Sequence, residues 1–240
     1  NVEMIIQQLE MPQGYTQKMM SMMKEGGSMN YDFLSFTNYK HSQLASDIVA
    51  NIRLPLNMSR AKAILSVPTD STNYKTHQRI NGATNVDGAA GNTNVYYKAL
   101  NTDLTPDFQE ASDKSGLVGI SDWLTDYQFF YDGKLNPSRK VNTSETSSQV
   151  SISQQPLIEL EKALVMSNIV PYSFKDFNSN FVIGRALSLH NGIYDTRNKD
   201  FNLQLEYNGT QAPIKNKLWC NFVAHLRRIV FKGDGISLEV

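Results

Sequence analysis

Four histidines, one cysteine and two loose groups of carboxylates are the residues from which this chain could build chemistry. His41, His77, His190 and His225 each lack a second His, a Cys or a carboxylate at the spacing of a metal site, so surface or sheet-edge roles are expected of them. Asp103, Asp107 and Glu110 form one acidic group, and Asp195 with Asp200 another. Calcium accepts such oxygen donors, but neither spacing matches a calcium loop, and solvated loops are expected. Glycoside hydrolysis needs two carboxylates facing one cleft, and no acid here sits in conspicuously apolar surroundings. The nucleophile elbow, the phosphate-binding loop and the dinucleotide fingerprint are all absent. Cys220 lies in the apolar run KLWCNFVAHL and reads as a small buried hydrophobe. The densest positive spot is Arg227-Arg228, beside His225. Strand alternation sends the two arginines to opposite faces, which favours an ion pair or a subunit contact over a nucleic-acid patch. The expectation is a protein that is not an enzyme, with no catalytic residue, no cofactor and no metal.

Composition agrees with a structural role. The 240 residues carry 23 Lys plus Arg against 23 Asp plus Glu, and 40% are hydrophobic. A chain with no net field has nothing to draw it to nucleic acid, and lack of self-repulsion suits assembly with copies of itself. One cysteine allows no internal disulfide. No run of eighteen apolar residues exists, and the opening NVEMIIQQLEM lacks a basic leader. The sequons at Asn57, Asn142 and Asn208 are chance matches in a chain rich in Asn, Ser and Thr. The chain opens and closes on strand-like segments, from which we expect it to be a piece of a longer polypeptide.

The elements that would position these residues are strands. Period-two alternation predicts eight of them, near 2–11, 30–40, 47–54, 60–67, 123–131, 180–189, 200–207 and 217–231. Ile48, Ala50, Ile52, Leu54 and Leu56 share one face of the third segment, and Trp123, Tyr127, Phe129 and Tyr131 share one face of the fifth. The run KLWCNFVAHLRRIVF is apolar on both sides and so should be central. A final short strand follows KGDG, at 236–240. One helix is expected from Thr16 to Lys24, stopped by Gly26-Gly27, its four methionines filling gaps against a sheet edge. A second is expected at 153–168, with Ser153 as N-cap, Pro156 in the first turn, Leu157, Leu160 and Leu164 as its core stripe and Ile158 and Val165 beside it. Sheet is expected over DWLTDYQFFYDGKLNP with Asp132-Gly133 as a turn, and SRKVNTSETSSQ before the second helix reads as a loop. Residues from about 69 to 116 form a polar insertion, far longer than the ~4–6 residues of a usual connection. The fold class is therefore all-β: a single domain over 1–240, an eight-stranded antiparallel jelly-roll sandwich with two short helices in connections and one long loop insertion.

Three segments carry a resemblance: NYDFLSFTNYK, GRALSLHNGIYDTRNKDFNLQLEY and KLWCNFVAHLRRIVFKGDGISLEV. They resemble the double jelly-roll major capsid proteins of the polinton-like virus, adintovirus and virophage group. The likeness is strongest in the last third and in residues 30–67, and the 68–116 segment has no counterpart. It implies two tandem jelly rolls per subunit, of which this chain would be the C-terminal one. It also implies homotrimers of pseudo-hexagonal outline, partnership with the N-terminal jelly roll and with penton and minor capsid proteins, and a place in the virion, assembled inside the host cell. Direct contact with nucleic acid is not expected. Tyr74, Tyr96, Tyr97 and Phe108 in the insertion are then the candidate subunit contacts, because aromatic side chains are enriched in interface cores. The alternative is a jelly-roll carbohydrate- or receptor-binding module, with Trp123 or the loop tyrosines as a stacking platform.

Overall fold

The structure, a computed structural model, describes residues 12–71, 124–143, 155–170, 181–188, 192–207, 216–233 and 235–239. It divides into two compact units, 34–225 and the pair of segments 1–33 with 226–240. Nine strands and two helices occur among the described residues, in the order α1 (Gln13–Lys24), β1 (Ser28–Gln43), β2 (Val49–Leu54), β3 (Ala61–Asp70), β4 (Leu124–Tyr131), β5 (Lys134–Asn142), α2 (Gln155–Met166), β6 (Ile183–Ala186), β7 (Phe201–Tyr207), β8 (Lys217–Lys232) and β9 (Gly235–Glu239).

The larger unit is the sandwich. One sheet has the order β1-β8-β3-β6 and the other β2-β7-β4-β5. Each residue-by-residue pairing that is resolved is antiparallel. Numbered one to eight along the chain, strands in this order are the two four-stranded sheets of a jelly roll, and the expected fold class is correct. The membership of the eight differs from expectation. The segment at 2–11 lies outside the described residues, and its place is taken by β5, whose residues 134–137 were expected in sheet and whose residues 138–142 were expected in a loop.

Alternation explains where the core sits. In β2, Ala50, Ile52 and Leu54 are buried while Val49, Asn51 and Arg53 are exposed. In β7, Phe201, Leu203, Leu205 and Tyr207 are buried against half-buried Asn202, Gln204 and Glu206. β3 and β8 occupy central positions and bury both faces through most of their length, as Ile64, Leu65, Ser66, Cys220, Asn221, Val223 and Ala224 show. An extra residue near Lys62 shifts the β3–β8 register, a bulge. Asp132 and Gly133, both at positive φ, form the two-residue turn of the β4–β5 hairpin. β6 spans only four residues of the segment expected at 180–189, although the Leu187 amide still donates to the Lys62 carbonyl.

Helix α2 covers part of the β3 and β6 surface. Its buried face is Glu159, Leu160, Ala163, Leu164 and Met166, with Pro156 in the first turn as expected. Leu157 is partly buried against the core, while Ile158 and Val165, expected beside the core stripe, face outward because the helix buries the side that carries Glu159 and Ala163. The helix can approach because Gly184 has no side chain: a Cβ there would lie 2.6 Å from the Leu160 Cα and 3.0 Å from the Ala163 Cβ. Ser153, the expected cap, lies outside the described residues.

The smaller unit holds α1, the first six residues of β1, the last seven of β8, and β9. β8 and β9 form a hairpin from Arg228↔Glu239 to Lys232↔Gly235. Helix α1 starts earlier than expected, at Gln13, and ends where Gly26 takes φ 85. It buries no residue, and Met20 and Met22 are exposed. They therefore do not fill the gap in a sheet that the sequence suggested.

Candidate assembly surfaces and the polar core

Among the described residues, several that could have done chemistry have structural surroundings. Cys220 is buried and free. His225 is fully buried on β8, its Nε2 3.0 Å from the Thr37 Oγ1. It is neither a surface nor a sheet-edge residue, because both faces of a central strand are covered. Arg228 makes the ion pair expected from alternation: its Nε and Nη2 donate to both oxygens of Asp32 at 2.8 and 3.0 Å. Asp195 and Asp200 do not converge on one site. Asp195 accepts from Arg197, whose guanidinium and amide hold the carboxyl down to about 2. Asp200 instead accepts from Arg53 at 2.9 Å. Among the described residues no group of three His, Cys, Asp or Glu side chains could hold a metal ion, and no helix is long and apolar enough to cross a membrane. His77, His190, Asp103, Asp107, Glu110 and Trp123 lie outside the described residues.

Two buried polar networks tie the sandwich together. Gln43, at the end of β1, accepts hydrogen bonds on Oε1 from the Trp219 indole of β8 (2.7 Å) and the Tyr207 hydroxyl of β7 (2.9 Å), joining one sheet to the other. On β8, Asn221 accepts from the Ser66 hydroxyl at 2.7 Å and donates to the Tyr39 carbonyl at 3.0 Å. Both are satisfied internally, and such groups specify a unique arrangement of strands. A further network fixes α2: Arg185 of β6 donates to Glu159 of the helix and to Asn136 of β5. The Glu159 and Arg185 side chains are only 9% and 14% exposed, so this pair is largely removed from water. Beside it Tyr127 and Tyr131 are fully buried, and burial pushes both phenols well above their usual range.

Several apolar side chains among the described residues face outward. In the sandwich, α2 exposes Ile158 and Val165, the residues after it expose Ile169 and Val170, and β5 exposes Leu135. In the smaller unit Tyr31 of β1 and Ile236 and Leu238 of β9 are exposed. Residues of this kind were recognised in the sequence as apolar, but their outward direction depends on which face each element buries. The aromatic contacts expected at Tyr74, Tyr96, Tyr97 and Phe108 lie outside the described residues.

No protein-family model matches the sequence, and no curated protein matches it. Several solved structures are similar. One is described as the crystal structure of PBCV-1 VP54 fitted into a cryo-EM reconstruction of the virophage Sputnik, at 13% identity over 94% of this chain and 54% of that chain, with a TM-score of 0.48. Another is the 3.5 Å structure of the Sputnik virophage by cryo-EM, at 8% identity over 89% of this chain and 39% of that one, TM-score 0.45. A third is the mavirus major capsid protein, at 11% identity over 89% and 41%, TM-score 0.37. The chain spans about half the length, or less, of these proteins.

Proposed function

We propose that this chain is a structural building block of a viral capsid. In this reading residues 1–240 are one barrel, the C-terminal jelly roll of a double jelly-roll subunit. The subunits form homotrimers of pseudo-hexagonal outline in an icosahedral shell, alongside penton and minor capsid proteins. The observation that carries the reading is the strand order, β1-β8-β3-β6 against β2-β7-β4-β5. It occurs in a chain whose segments resemble that capsid family and whose described residues hold no metal-binding cluster. Apolar side chains left outward on α2 and β5 support it further, since such residues suit burial against a neighbour. The alternative is a jelly-roll binding module with Trp123 or the loop tyrosines as its platform, residues that lie outside the described ones.

Expression of the reading frame that carries this chain, followed by sizing and electron microscopy, tests the role. Threefold particles of hexagonal outline are expected, and a monomer at every concentration would count against it. Within this reading the insertion at 69–116 packs around the threefold axis through Tyr74, Tyr96, Tyr97 and Phe108. Removing most of the insertion should abolish trimers while the monomer stays folded; unchanged assembly would retire the contact role.

A further inference from the structure

Outside the core, one concave site in the sandwich unit is walled by charged and amide side chains. A cleft of about 370 Å³ lies between the end of β2 with the turn after it and the turn that enters β7. Arg53, Pro55 and Asn57 form one wall, and Asn198, Lys199 and Asp200 the other. It is open to solvent, and the Arg53 and Asp200 side chains are 76% and 68% exposed.

The walls are held in place rather than draped. Thr196 is fully buried behind the cleft, and its amide and hydroxyl both donate to the Met58 carbonyl, at 2.8 and 2.9 Å. The same hydroxyl accepts from the Met58 amide at 2.8 Å. These bonds staple one turn to the other, so the cleft exists before any ligand arrives. Asn198 takes φ 56, a conformation uncommon for a residue with a side chain, and this sets the wall's curvature. The Lys199 ammonium sits 4.2 Å above the Tyr194 ring, which restrains a side chain that would otherwise sweep freely. Arg53 gives one bond to Asp200, at 2.9 Å, and a guanidinium has further donors in its fork.

We propose that this cleft binds a carboxylate-bearing saccharide. Two cations against one carboxylate leave a net positive charge for an acidic group, which the planar Arg53 fork matches. Asp200, Asn57 and Asn198 supply the acceptors and donors that ring hydroxyls need, and Pro55 offers an apolar edge to the sugar ring. The neighbouring Asp195 and Arg197 neutralise one another and leave this balance intact. The site lies within one unit of the chain and does not depend on the capsid reading, so either can fail without the other.

The test is an amide-resolved NMR titration of the full chain with 3′-sialyllactose, with lactose as the uncharged control. Saturable shifts confined to residues 53–58 and 196–200 are expected with the acidic sugar and not with lactose. The double variant Arg53→Gln/Lys199→Gln, whose residues are exposed enough to leave the fold intact, should weaken binding about tenfold or more. Asp200→Asn should bind the acidic sugar at least as tightly as the parent chain. Absence of saturable shifts up to about 10 mM, an equal response to lactose, or undiminished binding by the double variant would overturn the proposal.

Discussion

Gly184 is where helix and sheet come closest, and the side chain it lacks is what permits that approach. An added methyl would meet the Leu160 backbone at 2.6 Å, and backbone cannot swing aside as a side-chain tip can. Gly184→Ala should therefore destabilise the fold by about 1–3 kcal/mol, read as a lowered thermal midpoint. Tyr127 and Tyr131 make a second test at this scale. Burial raises both phenols, first by desolvation, so the folded state holds them neutral. The stability they contribute is complete below the ordinary phenol pKa of 10.0 and is lost as pH rises above it. Each adds a slope of about 1.4 kcal/mol per pH unit in that range. The Tyr127→Phe/Tyr131→Phe variant should leave the absorbance titration before unfolding unchanged and should unfold at higher pH. Earlier phenolate absorbance from the parent chain would show that these rings reach solvent.

Elements differed in how far the sequence disclosed them. The stripe of α2 was legible because Leu160 and Leu164 recur at helical spacing. The burial of Glu159 beside them was not, since an acid enters a core only with a partner, here Arg185 on a strand 26 residues later. Strand β5 was read only over 134–137, and the rest was missed for a different reason. Its Lys, Ser, Arg and Pro residues suit a loop, yet β5 is the edge of its sheet, where Pro137 can sit without a required ladder bond. Gln128 even donates to the Pro137 carbonyl from the neighbouring strand. The hairpin turn itself, Asp132-Gly133, was readable from two residues. The Glu159–Arg185 pair gives a prediction for α2 as a unit. Arg185→Met leaves the carboxylate with only Lys162 and should cost about 3 kcal/mol. Glu159→Met/Arg185→Met should cost clearly less than the sum of the single variants in a denaturant-based cycle. Additive costs would show that the pair does not brace the helix.

At the scale of the whole molecule, alternation disclosed that the chain is a sandwich, but strand order is a matter of distant partners that no local pattern records. The candidate site was less legible still. The cleft at Arg53 and Lys199 joins two turns far apart in the chain, and its charges look like solvated loop residues until the staple through Thr196 is seen. The strand order also has a consequence in time. β4–β5 and β8–β9 are the adjacent hairpins; the other resolved pairings join distant parts of the chain, from Tyr131 with Phe201 to Ala61 with His225. The Ser66–Asn221 bond closes over 155 residues, and Thr37 meets His225 across 188. Loop closure on this scale must precede the contacts that reward it, so the sandwich should refold slowly, over about a second or longer rather than in microseconds. During synthesis β1 and β3 emerge long before β8, the strand that lies between them. For that interval two strand edges stand unpaired, and the nascent chain is a client for whatever shields exposed β-structure in its cell. Stopped-flow fluorescence of a Trp123→Phe chain, in which Trp219 is the remaining tryptophan, would time the insertion of that last central strand, and a submillisecond phase carrying the full amplitude would contradict this order of events.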